Sequence, residues 1–559
     1  MTRIYEIASR YVDNIAALDP VMATGAGIPG HDDEISDYSP DGYAAFEPLY
    51  RDTLTAVITA PVENSRDRTA RDAMIDAISL DLLRFESGEY FRELSIIASP
   101  LRALRGVFDL MPRESERDWL NIARRLARVP EAIAGFQATL SEGLRRGLPA
   151  ARRQVVENIA QAEAWSGIRP GTKPFFASLL DAFDGSLVDS TSLRWDIGRA
   201  AAQATDAYAE FARFLSESYL PGAAERDGVG PDRYQFGSRA ANGVTLDLLE
   251  TYEWGWEELY RIEREMRETC EKILPGADIE LTKHYLDSDP ARAVEGVDQF
   301  RQWMQDLQDR TIAELNGTHF DIAEPVKRIE AMIAPPGGAL AMYYTPPSED
   351  FSRPGRTWYP TGGKTRFPLW GEVSIAYHEG VPGHHFQLAT TMYLAEELSR
   401  FQRLLGGTSG YIEGWALYAE RLMAELGYLD NPDYYLGMLR AQAMRAVRVI
   451  LDIGMHLELP IPRSERFHPG ETWNAILGQE FAGARAQFPA DFMASEITRY
   501  LGTPGQAISY KVGERCWLEA RAASRQRLGA SFDLKAWHKA ALNLGPMGLA
   551  QMQRELAAV

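Results

Sequence analysis

The densest concentration of reactive side chains is the segment Tyr377-HEGVPGHH-Phe386. There His378, His384 and His385, three of the chain's nine histidines, fall within eight residues beside Glu379. Imidazoles grouped next to a carboxylate are what a borderline-soft cation such as zinc prefers. In the common H-E-x-x-H helix the two histidines sit one turn apart on one face, and the glutamate is the general base. Here His378 and His384 are six residues apart, about 240° around a straight helix and roughly 9 Å along it. Pro382 and Gly383 lie between them, and proline inside a helix removes a hydrogen bond and forces a kink. The spacing predicts that the insert swings His384 back towards His378, as a two-residue bulge in the metal helix. His385 regains the His378 face only two turns on, too far to share one ion without a kink. The competing reading is a helix–turn–helix whose histidines cap or fill a core.

A third ligand belongs on a neighbouring helix. GYIEGWALYAERL (410–422) offers Glu413, with Glu420 seven residues later on the same face. Trp415, Leu417 and Tyr418 make the surroundings apolar, and an isolated buried carboxylate is costly unless paired or metal-bound. The alternative for these acids is a salt bridge with Arg421 or Arg445. The next helix carries Arg445, Arg448, Asp452 and His456 in one polar stripe. Asp452 and His456 could orient a ligand or bind a reacting oxygen, or the stripe could be a solvated face. In PGQAISYKVG (504–513), Gln506 and Tyr510 lie one turn apart, followed by Lys511. A phenol aimed at a developing oxyanion suits acyl transfer.

Two phosphate-loop look-alikes lack their context. GAGIPG (Gly25–Gly30) has neither a strand before it nor a helix after it, and Gly362-Gly363-Lys364-Thr365 lacks the first glycine, since Trp358 stands there.

The elements that must position these residues read mostly as helix. Runs at 67–94, 115–146, 196–220, 244–273, 289–315, 411–426 and 434–458 place apolar residues at spacings of three and four. In the run at 289–315, Asp289-Pro290 reads as an N-cap and first turn, followed by Val294, Val297 and Phe300 on the apolar stripe. From Ala339 to Tyr377 the pattern changes to aromatic residues, Thr, Pro and Gly. Tyr343–Thr345 and Arg356–Tyr359 read as short strands there. The expected fold is mainly α: an elongated, two-lobed multi-helix cleft with a small antiparallel sheet beside the metal-binding helix. A helical N-terminal lobe is expected over 1–290 and the metal-bearing lobe over 291–559.

A chain of 559 residues is long enough for about three to five folding units. With 59 Lys and Arg against 79 Asp and Glu, the formal net charge is −20, and no basic run is present, which argues against nucleic acid as a partner. Cys270 and Cys516 make no disulfide framework. The N-terminal residues carry Glu6 and Asp13 and no apolar leader segment, and no run is long enough to span a membrane. The expected compartment is the cytoplasm.

Taken together, YHEGVPGHHFQ, EGWALYAE, the Arg-x-x-x-Asp-x-Gly-x-His stretch at 448–456, PGQAxxYKxG and DPVMATGAGI resemble a bacterial domain-of-unknown-function family. The resemblance implies a family in the zincin metallopeptidase group, and the likeness spans nearly the whole chain. It implies the helical cleft of carboxypeptidase Taq and the neurolysin-like peptidases, with a short antiparallel sheet lining the cleft. It further implies His378, His384 and Glu413 as zinc ligands, Glu379 as general base and Tyr510 as electrophile or oxyanion donor. The departure from H-E-x-x-H leaves the choice between His384 and His385 open.

The expected activity is that of a zinc-dependent hydrolase with one Zn2+ per chain. It would act as a carboxypeptidase-like metallopeptidase on short peptides or other small amides, with Glu379 assisting attack by metal-bound water. The strand at Arg356–Tyr359 could pair with an extended substrate by β-addition. Arg356, Arg448 and Lys511 are candidates to hold a substrate carboxylate, while His385 and Tyr344 are candidates for a supporting or substrate-contacting role. The alternatives are a non-catalytic peptide- or small-molecule-binding protein that keeps the cleft and, further off, a non-haem iron enzyme, since two His and one carboxylate also describe that site.

Overall fold

Apolar residues at helical spacing along most of the chain become helices throughout the computed structural model, which describes residues 2–334 and 341–559. The start of the irregular stretch, 339–340, lies outside the described residues. Two compact units emerge. The first comprises Met1–Glu63, Met74–Asp227 and Leu501–Thr503, and the second Asn64–Ala73, Gly228–Tyr500 and Pro504–Val559. The boundary expected near residue 290 falls inside the second unit.

In the first unit the core gathers on the helix Thr191–Phe214, whose Ile197, Ala204, Tyr208 and Phe211 are buried. It packs against Glu116–Ala127, Val129–Arg145 and Arg152–Ser166. The run expected as one helix over 115–146 is two. Pro130 has no N–H to bond back into a preceding turn, so it sits in the first turn of a new helix. Ser115 and Asp118 form a reciprocal cap on the helix before it. The residues flanking the GAGIPG loop meet Arg125, which donates to the main-chain carbonyls of Pro20, His31 and Glu34.

In the second unit the helices used below are α1 (Leu248–Ile273), α2 (Val297–Leu315), α3 (Val373–Glu379), α4 (His384–Tyr393), α5 (Ser409–Glu425), α6 (Pro432–Leu457), α7 (Ser509–Leu528) and α8 (Leu534–Asn543). Helix α6 is buried along nearly its whole length and packs along α1, while α5 packs along α7. The α5–α7 approach is glycine on glycine: a Cβ at Gly414 would lie 2.4 Å from the Gly513 backbone. The helix expected from residue 289 begins only at Val297. Asp289 instead caps a short 3-10 turn, and Ala293–Glu295 forms a strand, β1, before Gly296 turns into α2 at a φ of 90°.

The other strands are β2 (Ile329–Ile333), β3 (Tyr343–Thr345), β4 (Gly355–Tyr359) and β5 (Arg366–Pro368). The two expected strands are both present, but the expected antiparallel sheet is mixed. Its order is β2-β4-β3, with β4 parallel to β2 and antiparallel to β3. Strands β1 and β5 form a separate antiparallel pair. Because β4 is the central strand, both its edges are hydrogen-bonded, and the expected pairing of substrate along Arg356–Tyr359 is excluded. No helix among the described residues is long and apolar enough to cross a membrane.

Candidate metal centre

Helix α3 runs into His378 and Glu379 and stops; α4 restarts at His384. The expected bulge in one continuous helix is thus a full break, Gly380–Gly383. The break is held from outside. Gln308 of α2 donates to the Ala376 carbonyl and accepts from the Val381 N–H, and Trp415 of α5 donates to the Pro382 carbonyl. It is also folded tightly on itself, since a Cβ at Gly383 would lie 2.0 Å from the His378 carbonyl oxygen. Only glycine permits that approach, and the approach brings His384 back to His378. Their ring centres are 4.7 Å apart.

Glu413, on the first turns of α5, completes the group. Its Oε2 lies 3.4 Å from His378 Nε2 and 3.3 Å from His384 Nε2. Among the described residues these three form the one group of potential ligands whose ligating atoms all lie within 4.8 Å. A tetrahedron with metal–ligand bonds of about 2.05 Å has edges of about 3.3 Å, the spacing of the two edges that meet at Glu413. Glu413 Oε2 is buried without a hydrogen-bond partner, and so is His384 Nδ1. Two imidazoles and one carboxylate fit a zinc site that keeps an open fourth position.

The orientation of His378 is fixed from behind. Its Nδ1–H donates to Glu420 Oε1 at 2.8 Å, which leaves the Nε2 lone pair facing Glu413. Glu420 also accepts from Ser374 Oγ and lies 3.6 Å from Arg445 Nη2. Burial pushes the Glu420 carboxyl up, but Arg445 and the hydrogen bonds from His378 and Ser374 outweigh it and hold it below the usual range. Glu413 is likewise raised by burial and pulled well below the usual range by the two histidines. Glu379 is different. Burial, reinforced by Glu413 and partly offset by His384, pushes its carboxyl up to about 8. Tyr510, the second residue of α7, lies with its ring 6.3 Å from that of His378 and nearly parallel to it. Burial and the nearby Glu413 push its phenol up to about 12, so it remains a hydrogen-bond donor near neutrality.

The remaining sequence candidates divide sharply. His385 is fully buried; its Nε2–H donates to the Val326 carbonyl at 2.7 Å and its Nδ1 accepts from the Tyr344 hydroxyl at 2.9 Å. Both nitrogens are used, so Tyr344 and His385 tie β3 to α4 and neither nitrogen is free to ligate. Lys511 is only 2% exposed and donates to Glu258, Gln442 and Glu514. Its three N–H groups are satisfied, and the expected hold on a substrate carboxylate is excluded. Arg356 is paired with Glu330 across β2 and β4. Gln506 accepts from Arg499 and donates to Ser409. Asp452 accepts from Tyr234 and the Gly505 N–H, while His456 donates to the Tyr500 carbonyl. The expected orienting role of this Asp–His pair is therefore corrected: the carboxylate hydrogen-bonded to His378 is Glu420. Arg448 pairs with Glu496 and the Tyr500 hydroxyl and faces the Tyr510 ring. Gln308, Ser374 and Trp415 were missed, because nothing in their own spacing distinguishes them from core residues.

The sequence pattern of the family described as "Bacterial protein of unknown function (DUF885)" matches residues 20–556. The chain belongs to this family. No curated protein matches it. Among solved structures, this DUF885 chain is similar over its full length to a protein of Colwellia psychrerythraea described as a "putative lipoprotein". The TM-score is 0.83 at 21% identity, covering 99% of that chain. A protein of Shewanella oneidensis, described as a "putative lipoprotein of unknown function", matches at a TM-score of 0.74 and 17% identity, with both chains fully covered. At these identities the likeness shows a shared fold.

Proposed function

We propose that this DUF885 chain is a zinc-dependent hydrolase of the zincin type, acting as a carboxypeptidase-like metallopeptidase on amide bonds of short peptides. The observation that supports this most strongly is the convergence of His378 Nε2 and His384 Nε2 on Glu413 Oε2 at tetrahedral-edge spacing. These three side chains would hold the ion, which supplies Lewis acidity to the scissile carbonyl. Glu379 is the neighbouring carboxylate outside that group of ligating atoms. It takes a proton from the attacking water and passes it to the leaving amine. Tyr510 donates to the oxygen on which charge develops.

The test is turnover of short peptides by the zinc-loaded protein beside Glu379→Gln. This reading expects the variant to keep its metal and lose activity by about 100-fold or more; full activity in Glu379→Gln would sink it. The cytoplasmic location belongs to the same proposal. An envelope location, for which the lipoprotein descriptions of the two structural neighbours speak, is its competitor, and cell fractionation separates the two.

A further inference from the structure

We propose that Arg445 and Arg448, flanking the ring of Tyr510, form a subsite for a carboxylate of the substrate beside the His378–His384–Glu413 cluster. The word substrate rests on the hydrolase reading; the subsite itself rests on the following.

The two arginines lie three residues apart on α6, and each is 5% exposed. Burial at that depth normally comes with a full set of hydrogen bonds, because an unpaired buried charge is costly. Here Nε and Nη1 of Arg445 and Nη1 of Arg448 are buried without a hydrogen-bond partner. The carboxylates at hand are already committed. Glu420, 3.6 Å from Arg445 and so beyond hydrogen-bonding distance, accepts from His378 and Ser374. Glu496 binds Arg448 at 2.7 Å and also serves Arg499 at 2.9 Å and the Tyr500 hydroxyl at 2.8 Å. Both carboxylates are thus committed to other donors, and the unused N–H groups of Arg445 and Arg448 call for an acceptor.

Its place is defined by Tyr510. The guanidinium carbons of Arg445 and Arg448 lie 5.7 and 4.5 Å from the centre of that ring, and the same ring lies 6.3 Å from that of His378. A planar guanidinium fork with unused donors matches a carboxylate in shape and charge, and it repels an ammonium. The other cations considered for this role contrast with these two: Lys511 has every donor used, and Arg356 is held by Glu330.

Calorimetric binding to the Glu379→Gln protein tests the subsite without turnover. Three probes serve: N-acetyl-trialanine with a free C-terminal carboxylate, the same peptide as its C-terminal amide, and an amide of equal length bearing one glutamate side chain. The acid should bind about tenfold or more tightly than the neutral amide. That ratio should collapse towards one in Arg445→Met and Arg448→Met backgrounds that keep their zinc, with Arg448→Lys intermediate. Glu496 keeps Arg499 and Tyr500 when Arg448 is replaced, so Arg448→Met retains a paired carboxylate; the lysine variant covers the case in which the methionine variant does not fold. Tighter binding of the glutamate-bearing amide than of the neutral amide assigns the subsite to a side-chain carboxylate instead of the C-terminus. Equal affinity of all three probes, or a ratio untouched in both methionine variants, overturns the proposal. A preserved ratio with no cleavage by the wild-type protein sinks the hydrolase and leaves the subsite standing.

Discussion

Glu420 receives the Nδ1–H of His378 at 2.8 Å from a position seven residues beyond Glu413 on α5. One helix face therefore supplies both the acid that meets the Nε2 atoms of His378 and His384 and the acid that sets the tautomer of His378. Carboxylates behind a ligating imidazole raise its basicity and fix its ring.

Glu420→Gln should consequently weaken zinc binding by about 10- to 100-fold without abolishing it. A chelator competition titration measures this. Unchanged affinity would reduce Glu420 to a structural partner of Arg445.

Glycine at 383 is required by contact. A Cβ there would lie 2.0 Å from one main-chain oxygen and 2.4 Å from another, and neither can rotate away. Gly383→Ala should destabilise the protein by about 3 kcal/mol and displace His384. Denaturant unfolding and zinc content should both fall.

Lys511→Met separates structure from substrate binding. It leaves Glu258 and Glu514 without their shared cation, and breaking a buried ion pair by removing one partner costs about 3–5 kcal/mol. The expected result is a lower unfolding midpoint with zinc content and the acid-to-amide binding ratio unchanged.

His538 on α8 gives a pH signature. It is 1% exposed, its Nε2 accepts from the Tyr418 hydroxyl, and burial, aided by Arg521, pushes it down to about 3. The unfolded chain binds this proton near pH 6.5 and the folded chain does not, so stability is full above pH 6.5 and falls as pH drops towards 3. The loss from this group is about 1.4 kcal/mol per pH unit at most. Unfolding free energies between pH 7 and 4.5 should show this slope, reduced in His538→Gln.

Much of this was legible in the sequence because it depends on local spacing. Period-three-and-four patterns gave the helices, and aromatic residues with Pro and Gly gave Tyr343–Thr345 and Arg356–Tyr359. The His378–His384 offset and the Pro-Gly insert already implied an interrupted helix. What was not legible depends on long-range partners. Pairing of β2 with β4 in parallel requires knowing where residues 329–333 lie. That both nitrogens of His385 are taken up is decided by the Val326 carbonyl and the Tyr344 hydroxyl, which are remote in sequence. Asp452 and His456 sit one turn apart and look like an orienting pair, yet their partners are Tyr234, Gly505 and the Tyr500 carbonyl. Helical spacing reports which face a residue occupies and says nothing of what faces it.

Metal content tests the central claim most directly. Elemental mass spectrometry of the purified protein, after zinc is supplied and excess removed, should give about one zinc per chain. His378→Ala, His384→Ala and Glu413→Ala should each lose it, and His385→Ala should retain it. An absence of zinc in the parent, or its loss in His385→Ala with retention in His384→Ala, would contradict the account.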